Sequence, residues 1–479
     1  MLYFLWQNPT ISVIIIPRRV YDLGKVYEVK QMLNTRDMDM LHGSFWDKLI
    51  IFAIPLALTG VLQQLFNAAD VAVLGQFVGK NAMAAVGNNI SVIGILVNLF
   101  MGLSLGANVI IARFIGAKKP EKVGAAVQTS FALAILTGFL LLAVGEILAA
   151  PIIDWLEVPA EVEGMAETYL RVYLLGLPFI GIYNFEAAIL RARGDTRTPL
   201  VALAAASVVN IALDLLFVSW GWGVMGVALG TIIAMGVSSF ILFWSLTHSQ
   251  DILRLQFKDF VFDRKMLREI AAIGLPAGIQ GMVFSFSNIL IQAAVNSLGP
   301  DAMAASAAAF AIEVNVYCFL NAFAQATTTF VSQNYGAGNL PRCFAITKVG
   351  LLLDIACTLC MATIVIVFAR EFFAIFNADE TVVELGIIRF WYIVAPQFLQ
   401  VFIDVLSGAL RGYGFSLPPA LLALVGICGV RITWLYTLFP ASPTYGTLMA
   451  CYPVSWLITG IFIGILYRYC RGHIKLIRV

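Results

Sequence analysis

Apolar runs of about 18 residues or more recur along this chain, and each is long enough to cross a ~30 Å hydrocarbon core as a helix. Residues carrying charge make up 12% of the sequence and hydrophobic residues 60%. A soluble domain carries about 25% charge, so this chain cannot clothe a water-facing surface. The runs lack the period-two alternation of outer-membrane barrel strands. The fold expected is an all-α polytopic membrane protein. Twelve transmembrane helices are placed at 47–75, 81–112, 123–151, 163–191, 198–219, 224–246, 267–298, 302–333, 343–369, 380–410, 418–439 and 446–469.

Charge between the runs alternates. Arg113, Lys118, Lys119 and Lys122 fall in one loop, and Arg191, Arg193 and Arg197 fall two loops later. Arg254, Lys258, Arg264, Lys265 and Arg268 continue the set. So do Arg342, Lys348, Arg411 and the tail with Arg468, Arg471, Lys475 and Arg478. The intervening loops hold little beyond Lys80 and Arg370 and are acidic around Asp154, Glu157, Glu161 and Glu163. The positive-inside rule then puts both termini in the cytoplasm, in a multi-pass protein of the cell inner membrane.

The chain reads as two repeated halves. Ile54-Pro55-Leu56 matches Leu275-Pro276-Ala277, and Ala82-Met83-Ala84-Ala85 matches Ala302-Met303-Ala304-Ala305. Gly116-Ala117 matches Gly336-Ala337, and Arg193-Gly194 matches Arg411-Gly412. The offsets are 221, 220, 220 and 218. Six helices per half start both halves on one side, so the repeat is parallel, about an axis along the membrane normal. The expected organisation is an amino-terminal extension (1–44), an N-lobe (45–246), a cytoplasmic linker (247–266), a C-lobe (267–469) and a cytoplasmic tail (470–479). Two six-helix bundles meeting at a V-shaped central cleft suit alternating access. The extension carries Arg18, Arg19, Lys25 and Lys30, with Met38 and Met40 just before Phe45-Trp46-Asp47-Lys48. It is read as a cytoplasmic segment or the product of a misassigned start.

No P-loop, dinucleotide fingerprint or paired nucleophile and histidine points to an enzyme. His42, His248 and His473 lie outside the apolar runs, and the seven cysteines from Cys318 to Cys470 show no disulfide or zinc spacing. No cofactor or metal is expected beyond a coupling ion, and no nucleic acid, since the basic loops read as topology signals and headgroup contacts. Transport is then driven by an ion gradient, or runs downhill.

Ionisable groups inside apolar helices cost about 2.5–3.5 kcal/mol each at mid-helix, and so mark function by default. Asp70 lies in the first span. Asn210 and Asp214, four apart in the fifth span, share one face. Asn184 and Thr231 lie in the fourth and sixth. Two carboxylates in a low-dielectric pocket cannot both ionise easily; the pair can hold a proton between them. The same oxygens could coordinate Na⁺, and the bland alternative is hydrogen-bonded glue between helices. In the second half, Glu313, Asp404 and Arg431 are intramembrane, with Arg431 expected to pair with one of the two acids. Glu186 and Asp404 each lie seven residues before a repeat-equivalent arginine and are candidates for an inner vestibule. Asp354 is read as an interface residue. Pro55, Pro178, Pro276 and Pro396 lie within the runs; Pro55 and Pro276 are the hinge candidates.

These residues resemble the multidrug and toxic compound extrusion (MATE) family, from about Phe45 to Tyr469. The carriers are Ile54-Pro55, Asn67-Ala68-Ala69-Asp70, Arg113 to Gly116-Ala117, Arg193-Gly194-Asp195-Thr196 with Pro199, and Asn210 to Asp214. Gln333-Asn334-Tyr335-Gly336-Ala337 and Leu410-Arg411-Gly412 complete them. The resemblance implies export of cationic or amphipathic drug-like molecules in exchange for H⁺ or Na⁺, by a monomer in membrane lipid. It implies a cation site at Asp70, Asn184, Asn210, Asp214 and Thr231, and a bend of the first helix at Pro55. One branch of the family carries acids in helices 7 and 10; those positions here are Phe284 and Gln400, so the chain looks more like the DinF-like branch. Glu186, Glu313, Asp404, Gln400 and Phe284 remain candidates for the substrate cleft or vestibule. The rival reading is a flippase for lipid-linked oligosaccharide of the same superfamily fold. A channel, a receptor or a major-facilitator carrier are further alternatives.

Overall fold

The computed structural model describes residues 38–474, apart from 157, 250, 257–259, 375, 377 and 378 and the side chains of Asn88 and Ser91. The compact unit that carries the helices begins at Asp39. The expectations for residues 1–37, Glu157, Lys258, Lys475 and Arg478 fall outside the described residues.

The structure is all-helical among the described residues. In the first half, α1 is Trp46–Phe77, α2 Lys80–Gly116 and α3 Pro120–Trp155. Then come α4 Ala160–Leu175, α5 Leu177–Arg193, α6 Arg197–Ser219 and α7 Gly223–Thr247. The second half has α8 Arg264–Asn296, α9 Pro300–Gly336, α10 Leu340–Val367, the short α11 Ala369–Ala374 and α12 Glu380–Tyr392. It ends with α13 Phe398–Gly412, α14 Leu417–Ala423, α15 Val430–Ala441, α16 Tyr445–Met449 and α17 Cys451–His473. Among the described residues ten spans, one of them running from α14 through α15 and one joining α16 to α17, are long and apolar enough to cross a membrane, and the bent pair α4–α5 makes an eleventh.

The departures from twelve plain spans have local causes. The predicted fourth span, 163–191, is broken by 47° between α4 and α5. Pro178 just beyond Gly176 cannot donate to the preceding turn, so the proline marks a break rather than a kink within one helix. The predicted span 380–410 is divided by a turn at 393–397 that contains Pro396, leaving α12 and α13. Between α14 and α15 the residues Leu424–Gly429 form a π-helical turn; such turns carry an extra residue and concentrate at functional positions. Pro55 and Pro276, by contrast, sit inside the continuous helices α1 and α8.

The repeat is visible in backbone detail. Gly79 and Gly299, 220 apart, both take positive φ and start α2 and α9. Lys118 and Gly338, again 220 apart, both take positive φ just after those helices end. The halves also meet symmetrically. A Cβ added to Gly116 would lie 1.8 Å from Gln333 O, and one on Gly336 would lie 1.9 Å from Arg113 O. Gly60 of α1 abuts Cys318 of α9 (3.2 Å to Cβ) as Gly281 of α8 abuts Asn98 of α2 (3.1 Å to Cβ).

Glycine on glycine tightens the seam between α2 and α8. A Cβ on Gly102 would fall 2.1 Å from Gly278 N, and one on Gly106 2.3 Å from Ile270 O. Pro276, a hinge candidate, is thereby seated beside this contact, its neighbour Ala277 lying against Gly102. Hydrogen bonds cross between the halves on both sides of this seam, the first about one turn further from the basic loops and the other two nearer them. Asn98 Nδ2 donates to Ser285 Oγ (2.9 Å), Thr329 Oγ1 to Asn108 Oδ1 (2.9 Å) and Gln333 Nε2 to Ala192 O (2.7 Å). Further from the basic loops, Gly87 of α2 faces open space. At the basic-loop end one apolar core unites α2, α3, α5, α6 and α7 with Leu253 and Leu255 of the linker and with Met266, Ile270 and Ile273 of α8.

Candidate functional site

Asp70, Asn210, Asp214 and Thr231 come together inside the first half. Each is at most 4% exposed. The Thr231 hydroxyl on α7 lies 2.8 Å from Asp70 Oδ2 on α1. Asn210 Nδ2 on α6 donates to Asp214 Oδ1 (3.3 Å) and lies 3.5 Å from Thr231 Oγ1. The i, i+4 spacing of Asn210 and Asp214 on one helix face sets the first of these contacts. The two carboxyl groups face one another directly.

The space they share is made by Gly230. A Cβ there would stand 2.3 Å from Asp214 Oδ1, so α7 can approach α6 only with hydrogen at that position. Asp70 Oδ1, Asp214 Oδ2 and Asn210 Oδ1 are buried and accept no hydrogen bond. Buried oxygen acceptors left without donors are costly. Here three of them, two on carboxyl groups, are gathered beside a hydroxyl. That donor set suits a proton shared between carboxyls, or a hard monovalent cation held by oxygen.

Asn184 stands apart from this arrangement. Its Nδ2 donates to Ile180 O of its own helix at 2.8 Å, and among the described residues it makes no hydrogen bond to the other four. Two residues that sequence reasoning did not single out wall the site instead. Tyr169 and Tyr173 of α4 are within electrostatic reach of Asp70, and Tyr169 also of Asp214. Their four-residue spacing on a helix face was the available signal; the break after α4 hid which way that face turns.

The remaining candidates are dispersed. Glu186 is fully enclosed in the first half, where Ser239 Oγ donates to its Oε2 at 3.3 Å, so it lines no open vestibule. Its arginine seven residues on, Arg193, pairs with Asp251 of the linker. Glu313 is paired, but not with Arg431: the Arg389 guanidinium of α12 grips it with Nε (3.1 Å) and Nη2. Both side chains are buried, and burial makes pairing obligatory for charges of this kind. Arg431 is satisfied elsewhere, donating to Ser455 Oγ (3.3 Å) and Asn288 Oδ1 (3.2 Å) and lying 4.1 Å over the Tyr452 ring. Gln400 Nε2 donates to Asp404 Oδ2 at 3.3 Å. Phe284 packs against the apolar core of the second half. Asp354, expected at the interface, is wholly buried.

The MatE family model matches the chain twice, over residues 55–216 and 276–437, two matches that begin 221 residues apart, as Pro55 and Pro276 do. A probable multidrug resistance protein, NorM of Thermotoga maritima, is 31% identical over 399 residues, covering 80% of this chain and 84% of that protein. The probable multidrug resistance protein YoeA of Bacillus subtilis is 25% identical, covering 81% and 86%. Among solved structures, a multidrug resistance MATE family transporter of the MOP superfamily in an outward-facing conformation has a TM-score of 0.85 at 22% identity, covering 92% of this chain and 99% of that one. A MOP superfamily transporter from Pyrococcus furiosus gives 0.85 at 23%, with the same coverage. At such identities the structures speak for the fold. With the doubled family match at the repeat offset and the bacterial relative across four-fifths of its length, they establish that this multi-pass membrane protein belongs to the MatE family.

Proposed function

We propose that this protein is a secondary active multidrug exporter, which exchanges cationic or amphipathic compounds for H⁺ or Na⁺ by alternating access across the cell inner membrane. In this reading both termini face the cytoplasm and the protein acts as a monomer. The observation that carries it is the enclosed Asp70–Asp214 pair, with three unsatisfied oxygens beside Thr231 and Asn210. A cation entering there removes an unfavourable buried charge. The names of the relatives, which speak of multidrug resistance, support the substrate class.

Antiport requires cation and drug to favour different states of the two lobes. The closest backbone contacts between the halves, Gly116 against Gln333 and Gly336 against Arg113, lie at the basic loops. This fits a cleft open to the outer side, the state that releases drug when the cation arrives. Neutralising Asp70 relaxes its hold on Thr231, so that α1 and α7 can shift against each other; Pro55 gives α1 a place to bend. The acidic rather than basic character of the enclosed groups favours this over the lipid-linked oligosaccharide flippase.

The test is efflux of a fluorescent organic cation from vesicles containing the protein, first under an imposed pH gradient and then under an imposed sodium gradient. One of the two gradients drives efflux by the wild-type protein. Asp70→Asn inserts normally and gives none. Full gradient-driven efflux by that variant refutes the reading.

A further inference from the structure

The second half holds acidic groups in its interior in two places. One is closed by the Glu313–Arg389 pair. The other is not. Asp354 of α10 has no accessible surface. Its Oδ1 accepts from Thr358 Oγ1 at 3.2 Å, while its Oδ2, equally buried, accepts from nothing. Asp404 of α13 lies within electrostatic reach of it.

Two glycine contacts fix how these acids are placed. A Cβ on Gly350 of α10 would stand 2.2 Å from Thr327 Oγ1, and one on Gly408 of α13 would stand 2.5 Å from Thr328 Oγ1. Helices α10 and α13 therefore rest on consecutive residues of α9. They run in opposite directions relative to the basic loops. Asp354 comes four residues after Gly350, and Asp404 four residues before Gly408, so each lies one helical turn further from those loops. The two acids reach the same depth, on neighbouring helices. The Thr327 hydroxyl at this contact is a further buried oxygen without a partner.

The charges here do not balance. Arg411 is the cation that faces Asp404, and its Nη2 donates to Gln280 Oε1 at 2.7 Å. The other titratable groups around the pair are neutral near physiological pH: Tyr317 and Cys318 of α9 and Cys357 of α10. Lys348 of α10 is exposed. Two carboxylates against one guanidinium leave one negative charge amid Leu320, Val401 and Val405. A buried charge without a partner is strongly unfavourable.

We propose that the interior of the second half binds one monovalent cation, H⁺ or Na⁺, at Asp354 between α9, α10 and α13. It is a separate site from Asp70–Asp214 and not its repeat. The repeat mate of Asp404 is Glu186, but the position 220 residues before Asp354 is Ala134. The site does not depend on what the protein exports.

The test uses the purified full-length chain carrying Asp70→Asn, Asp214→Asn and Glu186→Gln, which removes the enclosed membrane acids of the first half. Its melting temperature is followed in two arms: sodium chloride against choline chloride at pH 8.5 and constant ionic strength, and pH 8.5 against pH 6 in choline. Ligand binding to the folded state raises melting temperature by mass action, by about 3 °C or more for a site well occupied. A rise in the sodium arm identifies Na⁺, and a rise in the pH arm alone identifies the proton. Adding Asp354→Asn abolishes the rise while melting stays cooperative. Asp354→Ser, which also removes the carboxylate, abolishes it too and serves if Asp354→Asn does not fold. No rise in either arm, or a rise that survives these substitutions, overturns the proposal. Failure of drug efflux by the wild-type protein sinks the exporter reading and leaves this result unaffected.

Discussion

The Thr231 hydroxyl on α7 meets Asp70 Oδ2 on α1 at 2.8 Å, joining the first and last helices of the first half through a carboxyl group. A hydrogen bond to a charged group contributes about 1.5–3 kcal/mol. Thr231→Val keeps the shape and removes the donor. It is expected to weaken the coupling cation by about tenfold or more, read as a shift in the ion concentration that half-saturates efflux, while Thr231→Ser stays near wild type.

Gly230 exists for the benefit of Asp214. Gly230→Ala puts a methyl group where Asp214 Oδ1 stands, so the carboxylate must swing out or α7 must back away. Overpacking of this kind costs about 1–3 kcal/mol. The variant is expected to melt several degrees lower and to lose the effect of the coupling ion on its stability, both read in one thermal scan with and without the ion. A variant that melts lower but keeps the ion response contradicts the placement of Asp214.

Breaking the Glu313–Arg389 pair from one side strands a charge in the bundle. Glu313→Gln is expected to cost about 3–5 kcal/mol, whereas replacing both partners by Met removes the charges together and recovers much of that loss. Melting temperatures of the single and double variants decide the matter. Equal losses in the two would mean that the pair contributes packing rather than charge balance.

The contact of Gly116 with Gln333 holds the halves together near the basic loops. Gly116→Val forces them apart there. Asn108, 2% exposed and bonded across to Thr329, reports the opening. In a chain whose seven native cysteines are changed to serine, Asn108→Cys is expected to resist a membrane-impermeant thiol reagent applied from the basic side, and to react once Gly116→Val is added. Equal labelling in both backgrounds refutes this.

Much of this is legible in the sequence. Apolar length located the helices, the constant offset exposed the repeat, and Asp70, Asn210, Asp214 and Thr231 stood out because charge and amide are conspicuous in an apolar helix. Rotation about the helix axis was not legible. A helix that is apolar on nearly every side carries no stripe to say which face turns inward. Hence Asn184 was grouped with the site although it bonds to its own backbone, and Tyr169 and Tyr173 were passed over. The sequence offers Arg431 either Glu313 or Asp404 as a partner, whereas Glu313 is held by Arg389 of α12, and sequence position alone does not say which helix turns toward it. Asp354 was placed at the interface from its distance to Lys348, a one-dimensional measure that says nothing about depth.

The glycines at 102, 106, 274 and 278 have a mechanical consequence. Where neighbouring helices interlock through bulky side chains, parting them means withdrawing each one from its socket and moving its rotamer. Two nearly smooth rods touching backbone to backbone have few such teeth to disengage. Two bodies joined along that line can rock open and shut without first being unpicked, and the same smoothness leaves little to hold either posture unless a bound ion or cargo supplies the preference.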